Sequence, residues 1–221
     1  MTKFKLVTQQ LLDELITHLS DADTIYLLVS FVMDSGVRLL APHLEAAAAR
    51  GADIKILTGD YLYVTQPEGL ASLISIHPQI EARLWRSHGV SFHPKAYLMQ
   101  RPGGGTALIV GSSNLSRSAL GHGVEWNLAV NSDTPLEVFH EAQTLFMKMF
   151  YDETTLALNP ESAKQYEAAY QAYHQRHPNL VHNWTLAEEV DTMFVTGEDV
   201  PVSRDGKPEY QAAIAPRAAQ I

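Results

Sequence analysis

Two apolar runs on either side of an alanine-rich stretch lie between residues 24 and 58, and this succession constrains the fold more than any other feature of the chain. The first run, residues 24–32, is almost continuously apolar, which is typical of a buried strand. The stretch after it contains the alanine block 46–49 and stops at Gly51, as a helix does. A second apolar run, residues 53–58, completes a strand–helix–strand unit, so the sequence predicts an α/β fold.

The same alternation continues along the chain. Helices are predicted over residues 8–20, 67–76, 114–120, 135–150 and 163–174, and further strands over residues 81–85, 94–100, 106–111 and 124–130. The glycine-rich segment 101–105 predicts an antiparallel hairpin between two of these strands. The expected architecture is a mixed, largely parallel β-sheet flanked by helices on both faces.

Length and composition limit the class of protein. The chain has 221 residues, enough for one large domain with an extension. We predict a core domain over residues 1–152, a helical extension over 153–198 and a linker over 199–221. The chain has no cysteine, which excludes disulfides, thiolate zinc sites and cysteine nucleophiles. Because the sequence has neither a long apolar run nor a signal peptide pattern, we expect a cytoplasmic protein without a membrane partner.

Charge is distributed unevenly along the chain. The net charge is −9, yet residues 82–124 contain no acidic residue. The basic residues of that segment are Arg83, Arg86, Lys95, Arg101 and Arg117. A basic segment on an acidic chain favours a substrate that carries phosphate, although such a segment is more often simply a solvated face.

Three polar motifs lie at the ends of the predicted strands. His93 and Lys95 are two residues apart, so their side chains leave one face of a strand. Ser112 and Asn114 follow the next strand with the same spacing, and Glu125 lies near the start of the last. Taken singly, each residue has an ordinary explanation: a structural histidine, a capped turn or an edge-strand carboxylate. Their joint spacing is what favours a site.

These residue types suit cleavage of a phosphodiester without metal. A histidine can attack phosphorus while a second acid protonates the leaving oxygen, and cations and fixed donors stabilise the added charge. We therefore assign His93 as nucleophile, Lys95 as cation, Ser112 and Asn114 as donors, and Glu125 as the partner that orients the imidazole. A helix beginning near Asn114 would add backbone donors.

Residues next to these motifs are assigned to substrate binding, namely Arg117, Ser113 and Ser116. The other histidines have no spacing typical of metal ligands, so no metal is expected.

His93-Pro94-Lys95, the segment 111–116 and Glu125 together resemble the phospholipase D-like superfamily and its His-x-Lys signature. The resemblance covers roughly residues 20–150 and is greatest to the single-motif nuclease branch that includes metal-independent restriction endonucleases; residues 56–61 are weaker support. It implies an αβα sandwich, a phosphohistidine intermediate and no cofactor. Two departures lower the expected activity. Gln100 stands where the superfamily has aspartate, a residue that the nuclease branch also tends to replace by the later glutamate, here Glu125. Ser112 stands where the branch often has asparagine, although serine can still donate one hydrogen bond.

The resemblance also implies an assembly. Members of the superfamily use two His-x-Lys motifs in one active site, and this chain has one copy. We therefore expect a homodimer with a shared active site on its two-fold axis.

The end of the chain suggests a larger context. Residues 216–221, Pro-Arg-Ala-Ala-Gln-Ile, are similar to the adenine-reading segment before the first motor motif of superfamily 2 helicases. The expectation is the N-terminal domain of a bacterial helicase–nuclease in restriction or phage defence, with ATP as a cofactor only if a helicase domain follows.

Three functions remain to be compared. The leading one is a metal-independent phosphodiesterase that cleaves DNA, with RNA as the alternative substrate. The second is a catalytically weak nucleic-acid-binding module attached to a helicase motor. The third is a phospholipid phosphodiesterase, which is less well supported because the sequence shows no membrane helix and no basic amphipathic surface helix.

Overall fold

A single eight-stranded sheet organises the computed structural model, which describes residues 1–134 and 136–177. The strands are β1 (Lys3–Val7), β2 (Thr24–Val29), β3 (Asp53–Gly59), β4 (Glu81–Trp85), β5 (Lys95–Gln100), β6 (Thr106–Gly111), β7 (Asn127–Ser132) and β8 (Thr155–Ala157). Their order across the sheet is β1-β7-β6-β5-β2-β3-β4-β8. The helices are α1 (Leu11–Leu19), α2 (Asp34–Ala49), α3 (Pro67–Ser75), α4 (Arg117–Leu120), α5 (Glu137–Phe150) and α6 (Pro160–Arg176), with a short 3-10 turn at Tyr61–Tyr63.

The sheet is mixed, as predicted, but the expectation of a largely parallel sheet is wrong. Only β2–β3 and β3–β4 are parallel among the described strand pairs. Every other pair is antiparallel. The helices α2 and α3 provide the crossovers that parallel neighbours need, whereas the 101–105 turn between β5 and β6 is too short for one. The hairpin predicted at that turn is confirmed.

Helices cover both faces of the sheet, which confirms that part of the prediction. Along β2, Ile25 and Leu27 belong to the core that α1, α2 and α3 cover. The alternate residues Tyr26 and Leu28 pack instead with phenylalanines of α5. Side chains that point alternately to the two faces of a strand explain the nearly continuous apolar run that the sequence shows here.

The two outermost strands, β1 and β8, were missed by the sequence-based prediction. Both are short, and among the described strands each pairs with one neighbour. Four of the five residues of β1 are exposed, so the strand lacks the apolar pattern that identifies a buried one.

Helix α6 lies in the predicted helical extension. It begins with a capping box: the Asn159 side chain accepts from the backbone N–H of Ser162, whose hydroxyl accepts from the N–H of Asn159. Its Tyr166 is buried and donates a hydrogen bond to the carbonyl of Thr65 at 2.7 Å. The division at residue 152 stays a prediction, and the rest of the extension and the 199–221 linker lie outside the described residues.

Strand directions bring several loops to one edge of the sheet. The carboxyl ends of β2, β3, β4 and β6 and the amino ends of β5 and β7 lie on this edge. We call it the site edge because all the predicted site residues lie on it. No helix of the described part of the chain is both long and apolar enough to cross a membrane.

Candidate active site

His93 and Lys95 lie in contact at the start of β5. Lys95 is the first residue of the strand and is only 6% exposed, whereas His93 lies in the preceding loop and is exposed. The Lys95 Nζ atom is 2.7 Å from Nδ1 and 3.1 Å from Nε2 of His93, and it donates to the His93 carbonyl at 3.1 Å. The ammonium group thus lies against the imidazole ring, as the spacing of the two residues suggested.

This contact affects the titration of both groups. Burial lowers the pKa of the His93 imidazole, and the positive charge of Lys95 lowers it further. A histidine with a lowered pKa is neutral at pH 7, as a nucleophile must be. Burial also lowers the pKa of Lys95, and the negative charge of Glu125 offsets part of that shift.

The His93 pKa can be measured directly. We expect the imidazole signals of His93 to titrate below the usual value of about 6.5, and Lys95→Met to raise the midpoint, because it removes the neighbouring positive charge. NMR of protein labelled at its histidines measures both midpoints. Lys148→Met, which removes an exposed lysine of α5, is the matched control. A midpoint that is unchanged or lower in Lys95→Met would contradict the assigned cause.

Ser112 and Glu125 form a second polar pair on the site edge. The Ser112 hydroxyl donates to the Glu125 carboxylate and accepts from the backbone N–H of Trp126 at 2.9 Å. Its single proton is therefore engaged, and it differs from the free phosphoryl donor that we expected. Substrate would have to displace Glu125 for this hydroxyl to donate to phosphate.

Glu125 does not have the predicted contact with the imidazole of His93. Both ring nitrogens of His93 face Lys95 instead. The backbone N–H of Glu125 donates to the carbonyl of Thr8 at 3.0 Å, which holds the residue in a loop before β7. Glu125 acts on the site through charge, by favouring the protonated form of Lys95.

Residues 112–116, which we call the donor loop, are attached to the segment after β2. The backbone N–H of Phe31 donates to the Asn114 side-chain oxygen at 3.1 Å. The N–H of Met33 donates to the Leu115 carbonyl at 2.9 Å, and the N–H of Leu115 donates to the Phe31 carbonyl at 3.3 Å. The Asn114 oxygen is engaged, and its amide NH₂ has no hydrogen-bond partner among the described residues.

A close backbone approach accompanies this attachment. A Cβ atom at Gly36, in the first turn of α2, would lie 2.4 Å from the backbone carbon and oxygen of Leu115. Such a distance does not occur for real side chains, so glycine is required where α2 passes the donor loop.

The prediction that a helix begins near Asn114 is wrong. Helix α4 begins at Arg117, with Ser116 as its N-cap, and has four residues. The Ser116 hydroxyl accepts from the N–H of Ala119 at 3.2 Å. The helix therefore offers no backbone donors at Asn114.

Two of the three residues assigned to substrate binding point inward, which corrects that assignment. The hydroxyl of the fully buried Ser113 donates to the Ala119 carbonyl at 3.3 Å and accepts from the amide of Asn127 at 2.9 Å. Ser116 is engaged as the cap of α4. Arg117 is partly exposed, and its buried Nε atom has no hydrogen-bond partner among the described residues. Arg117 stays a prediction.

Gln100 lies at the other end of β5 from Lys95. It pairs with Thr24 and Thr106, away from the site edge. Five strand residues span about 17 Å, so the side chain at position 100 cannot reach a phosphate held at Lys95. The departure from the superfamily pattern at Gln100 therefore does not touch the proposed chemistry directly.

Sequence reasoning missed Phe31, which contacts both central residues. Its ring meets that of His93 edge to face at 5.5 Å between centroids, and the Lys95 Nζ atom is 5.8 Å from its centroid. Ser30 donates to the Pro94 carbonyl at 3.0 Å. The one sequence signal for a polar contact here is Ser30, near the end of the apolar run. A prediction of one buried strand over residues 24–32 overlooks it.

Metal ligation finds no support in the described part of the chain, where no group of three or more His, Cys, Asp or Glu side chains is placed to hold an ion.

Comparison with known proteins gives one family and several related folds. The family described as "Cardiolipin synthase, PLD-like domain" matches residues 15–150. NucT from Helicobacter pylori is 19% identical, with a TM-score of 0.54, and the match covers 71% of this chain and 99% of that one. Nuc from Salmonella typhimurium, a phospholipase D family member, is 16% identical, with a TM-score of 0.53 and coverage of 68% and 95%. Phosphatidylserine synthase from Haemophilus influenzae is 14% identical, with a TM-score of 0.51 and coverage of 85% and 47%. Identities this low show a shared fold, and none of the curated proteins matches the chain.

Proposed function

The chain belongs to the PLD-like family, and on that premise we propose that it is a metal-independent phosphodiesterase that cleaves DNA. The observation that carries this proposal is the contact between an exposed imidazole and a buried ammonium group, with 2.7 Å between the Lys95 Nζ and His93 Nδ1 atoms. A lowered pKa favours the neutral form of that imidazole, as the attacking copy needs, and the copy that acts as the acid has to gain a proton when the anionic phosphodiester binds. The ammonium lies where charge would develop on phosphorus oxygens.

The proposed reaction has two steps. In the first, a His93 ring nitrogen attacks phosphorus, a nitrogen–phosphorus bond forms, and the bond to the leaving oxygen breaks while a second imidazolium gives that oxygen a proton. In the second, water attacks the phosphohistidine, the nitrogen–phosphorus bond breaks, and the second imidazole takes the proton of the water. Lys95 and the Asn114 amide stabilise the charge on the phosphoryl oxygens, and Glu125 keeps Lys95 protonated.

A second copy of the chain supplies the second imidazole in this proposal. An exposed apolar face on β1, β6 and β7 supports such an assembly; its residues are Phe4, Leu6, Val110, Trp126 and Leu128. Leu6, Leu128 and Val110 are direct cross-strand neighbours. Trp126 is 65% exposed and follows Glu125, so this apolar face reaches the site edge. Contiguous exposed apolar surface of this kind marks interaction sites.

The dimer can be tested at Leu128. We expect Leu128→Glu to convert a dimer into a monomer and to abolish cleavage, because a buried carboxylate without a partner opposes association. Light scattering during size-exclusion chromatography measures the mass. Ala168→Glu, which adds the same charge at an exposed position of α6 on the opposite side of the sheet, is expected to stay dimeric. A strictly monomeric wild-type chain that cleaves DNA would contradict the shared site.

The activity itself is tested by incubating the protein with DNA in excess chelator. Cleavage supports the phosphodiesterase. Salt-sensitive DNA binding without cleavage would favour the nucleic-acid-binding module, and turnover of phosphatidyl substrates with none of nucleic acid would favour the lipid enzyme. RNA in the same assay distinguishes the two nucleic acids.

The wider context is also a proposal. Residues 216–221, on which the helicase resemblance rests, lie outside the described part of the chain. We place the domain at the N-terminus of a cytoplasmic helicase–nuclease in restriction or phage defence, with ATP used by the motor. A gene that ends near residue 221 would contradict this placement.

A further inference from the structure

An aromatic cluster that the proposed chemistry does not use lies beside the site edge. The rings of Tyr63 and Tyr173 are 4.9 Å apart between centroids, and those of Tyr173 and His177 are 4.4 Å apart. We call these three residues the aromatic shelf. Tyr63 comes from the turn after β3, and the other two come from the end of α6.

The turn that carries Tyr63 has a strained backbone. Leu62 and Tyr63 have φ angles of 54° and 48°, in the left-handed region that large side chains rarely adopt. The N–H of Tyr63 donates to the Asp60 carbonyl at 2.9 Å, and the His174 ring donates to the Tyr63 carbonyl at 2.8 Å. Such strain persists where the surroundings hold it, and it clusters at functional sites.

The aromatic shelf is joined to the loop that carries His93. The Asp60 carboxylate accepts from the backbone N–H of Ser87 at 2.7 Å. Gly59, the last residue of β3, is so close to Phe92 that a Cβ atom there would lie 2.5 Å from its ring. The turn after β3 and the loop before His93 are therefore in direct contact.

Positive charge flanks the aromatic shelf. Burial raises the pKa of the Tyr63 hydroxyl and Asp60 raises it further, whereas Arg86 and Arg176 act in the opposite direction. Arg176 is three residues after Tyr173 on α6, one helical turn away, and Arg86 directly precedes Ser87, whose N–H donates to Asp60 at the start of the turn that carries Tyr63. Both arginines are exposed. Aromatic rings flanked by cations are the surface on which single-stranded nucleic acids bind, with bases stacked on rings and phosphates near arginine.

Packing of α6 does not by itself account for the whole cluster. Tyr166, which is 4% exposed and hydrogen-bonded to Thr65, attaches the helix to the domain. Tyr173 is partly exposed and His177 is exposed, so the outer rings continue into solvent.

We propose that the aromatic shelf binds the bases of a single-stranded nucleic-acid segment next to the phosphodiester held at His93, with Arg86 and Arg176 near its phosphates. The position of that phosphodiester rests on the proposed function. The aromatic shelf adds that the substrate is single-stranded there. A duplex keeps its base faces inside the stack, so it cannot make these contacts.

The test measures binding of a fluorescent single strand of about 15 nucleotides by anisotropy, in chelator and in a His93→Ala chain that leaves the strand intact. We expect Tyr173→Ala to weaken binding about 10-fold, because base–ring stacking is lost. Tyr173→Phe keeps the ring and is expected to bind as the parent does. Gln171→Ala, at an exposed position of the same helix, is the matched control.

The salt dependence of the binding affinity tests the role of the arginines. A second variant at the aromatic shelf is available in case the first does not fold. Arg176→Gln is expected to reduce the slope of log affinity against log salt by about 0.7, the share of one phosphate contact. If Tyr173→Ala fails to fold, His177→Ala at the exposed end of the aromatic shelf takes its place.

Unchanged affinity in Tyr173→Ala, or an equal loss in Tyr173→Phe, would overturn the proposal, as would an equal loss of affinity for duplex DNA. Binding is measured in a chain that does not cleave, so this result can be interpreted even if the cleavage proposal fails.

Discussion

Replacement of His93 by alanine is expected to slow DNA cleavage by at least about 10⁴-fold, because it removes the nucleophile on which both proposed steps depend. Single-turnover cleavage in excess chelator measures the loss. DNA binding should survive, since Lys95 and the donor loop remain. His43→Ala, on α2 and outside the proposed site, is expected to keep wild-type activity.

Mixed dimers make this prediction sharper. If each active site needs one histidine from each copy, a dimer of one wild-type and one His93→Ala chain is inactive. Equal co-expression should then leave about a quarter of the activity of the same amount of wild type, whereas independent sites would leave about a half. A result of one half would contradict the shared site even if His93→Ala itself is inactive.

Lys95→Ala is expected to slow cleavage by about 10²–10³-fold, because one oriented donor to the transition state is worth roughly 3–4 kcal/mol. The rate is measured at saturating DNA, so that weaker binding does not add to the effect. A loss below tenfold would mean that another group is the cation.

Folding stability separates this role from a structural one. Lys95 is 6% exposed, and among the described residues no carboxylate lies within salt-bridge distance of it. A buried charge without such a partner opposes folding. We therefore expect Lys95→Met to unfold at the same temperature as wild type or higher while activity is lost, whereas strong destabilisation would indicate a structural lysine.

The central elements could be predicted because their signal is local. The bounds of β4 and β6 agree with the sequence prediction residue for residue, since each is a short apolar-rich run between turn residues. The directions of the later strands could not be predicted in the same way. They depend on which strands become neighbours, and β1 pairs with β7 across more than a hundred residues of chain.

The candidate site shows the same division. The contact between His93 and Lys95 could be predicted because the two residues are only two positions apart at the start of β5. The orientation of Glu125 depends on a hydrogen bond from its backbone N–H to the carbonyl of Thr8, and no local sequence pattern predicts a contact between residues so far apart in the chain. Ser113 was assigned to substrate for its type, but its hydrogen bonds to Asn127 and Ala119 turn it inward.

The contact at Gly36 has a consequence for protein engineering. Exchange of a helical glycine for alanine is a routine way to gain up to about 1 kcal/mol of stability. At Gly36 the added methyl group would meet the Leu115 backbone at 2.4 Å and push the donor loop away from Phe31 and Met33. A design that optimises α2 for thermostability by helix propensity alone would therefore select against the geometry on which the Asn114 donor depends.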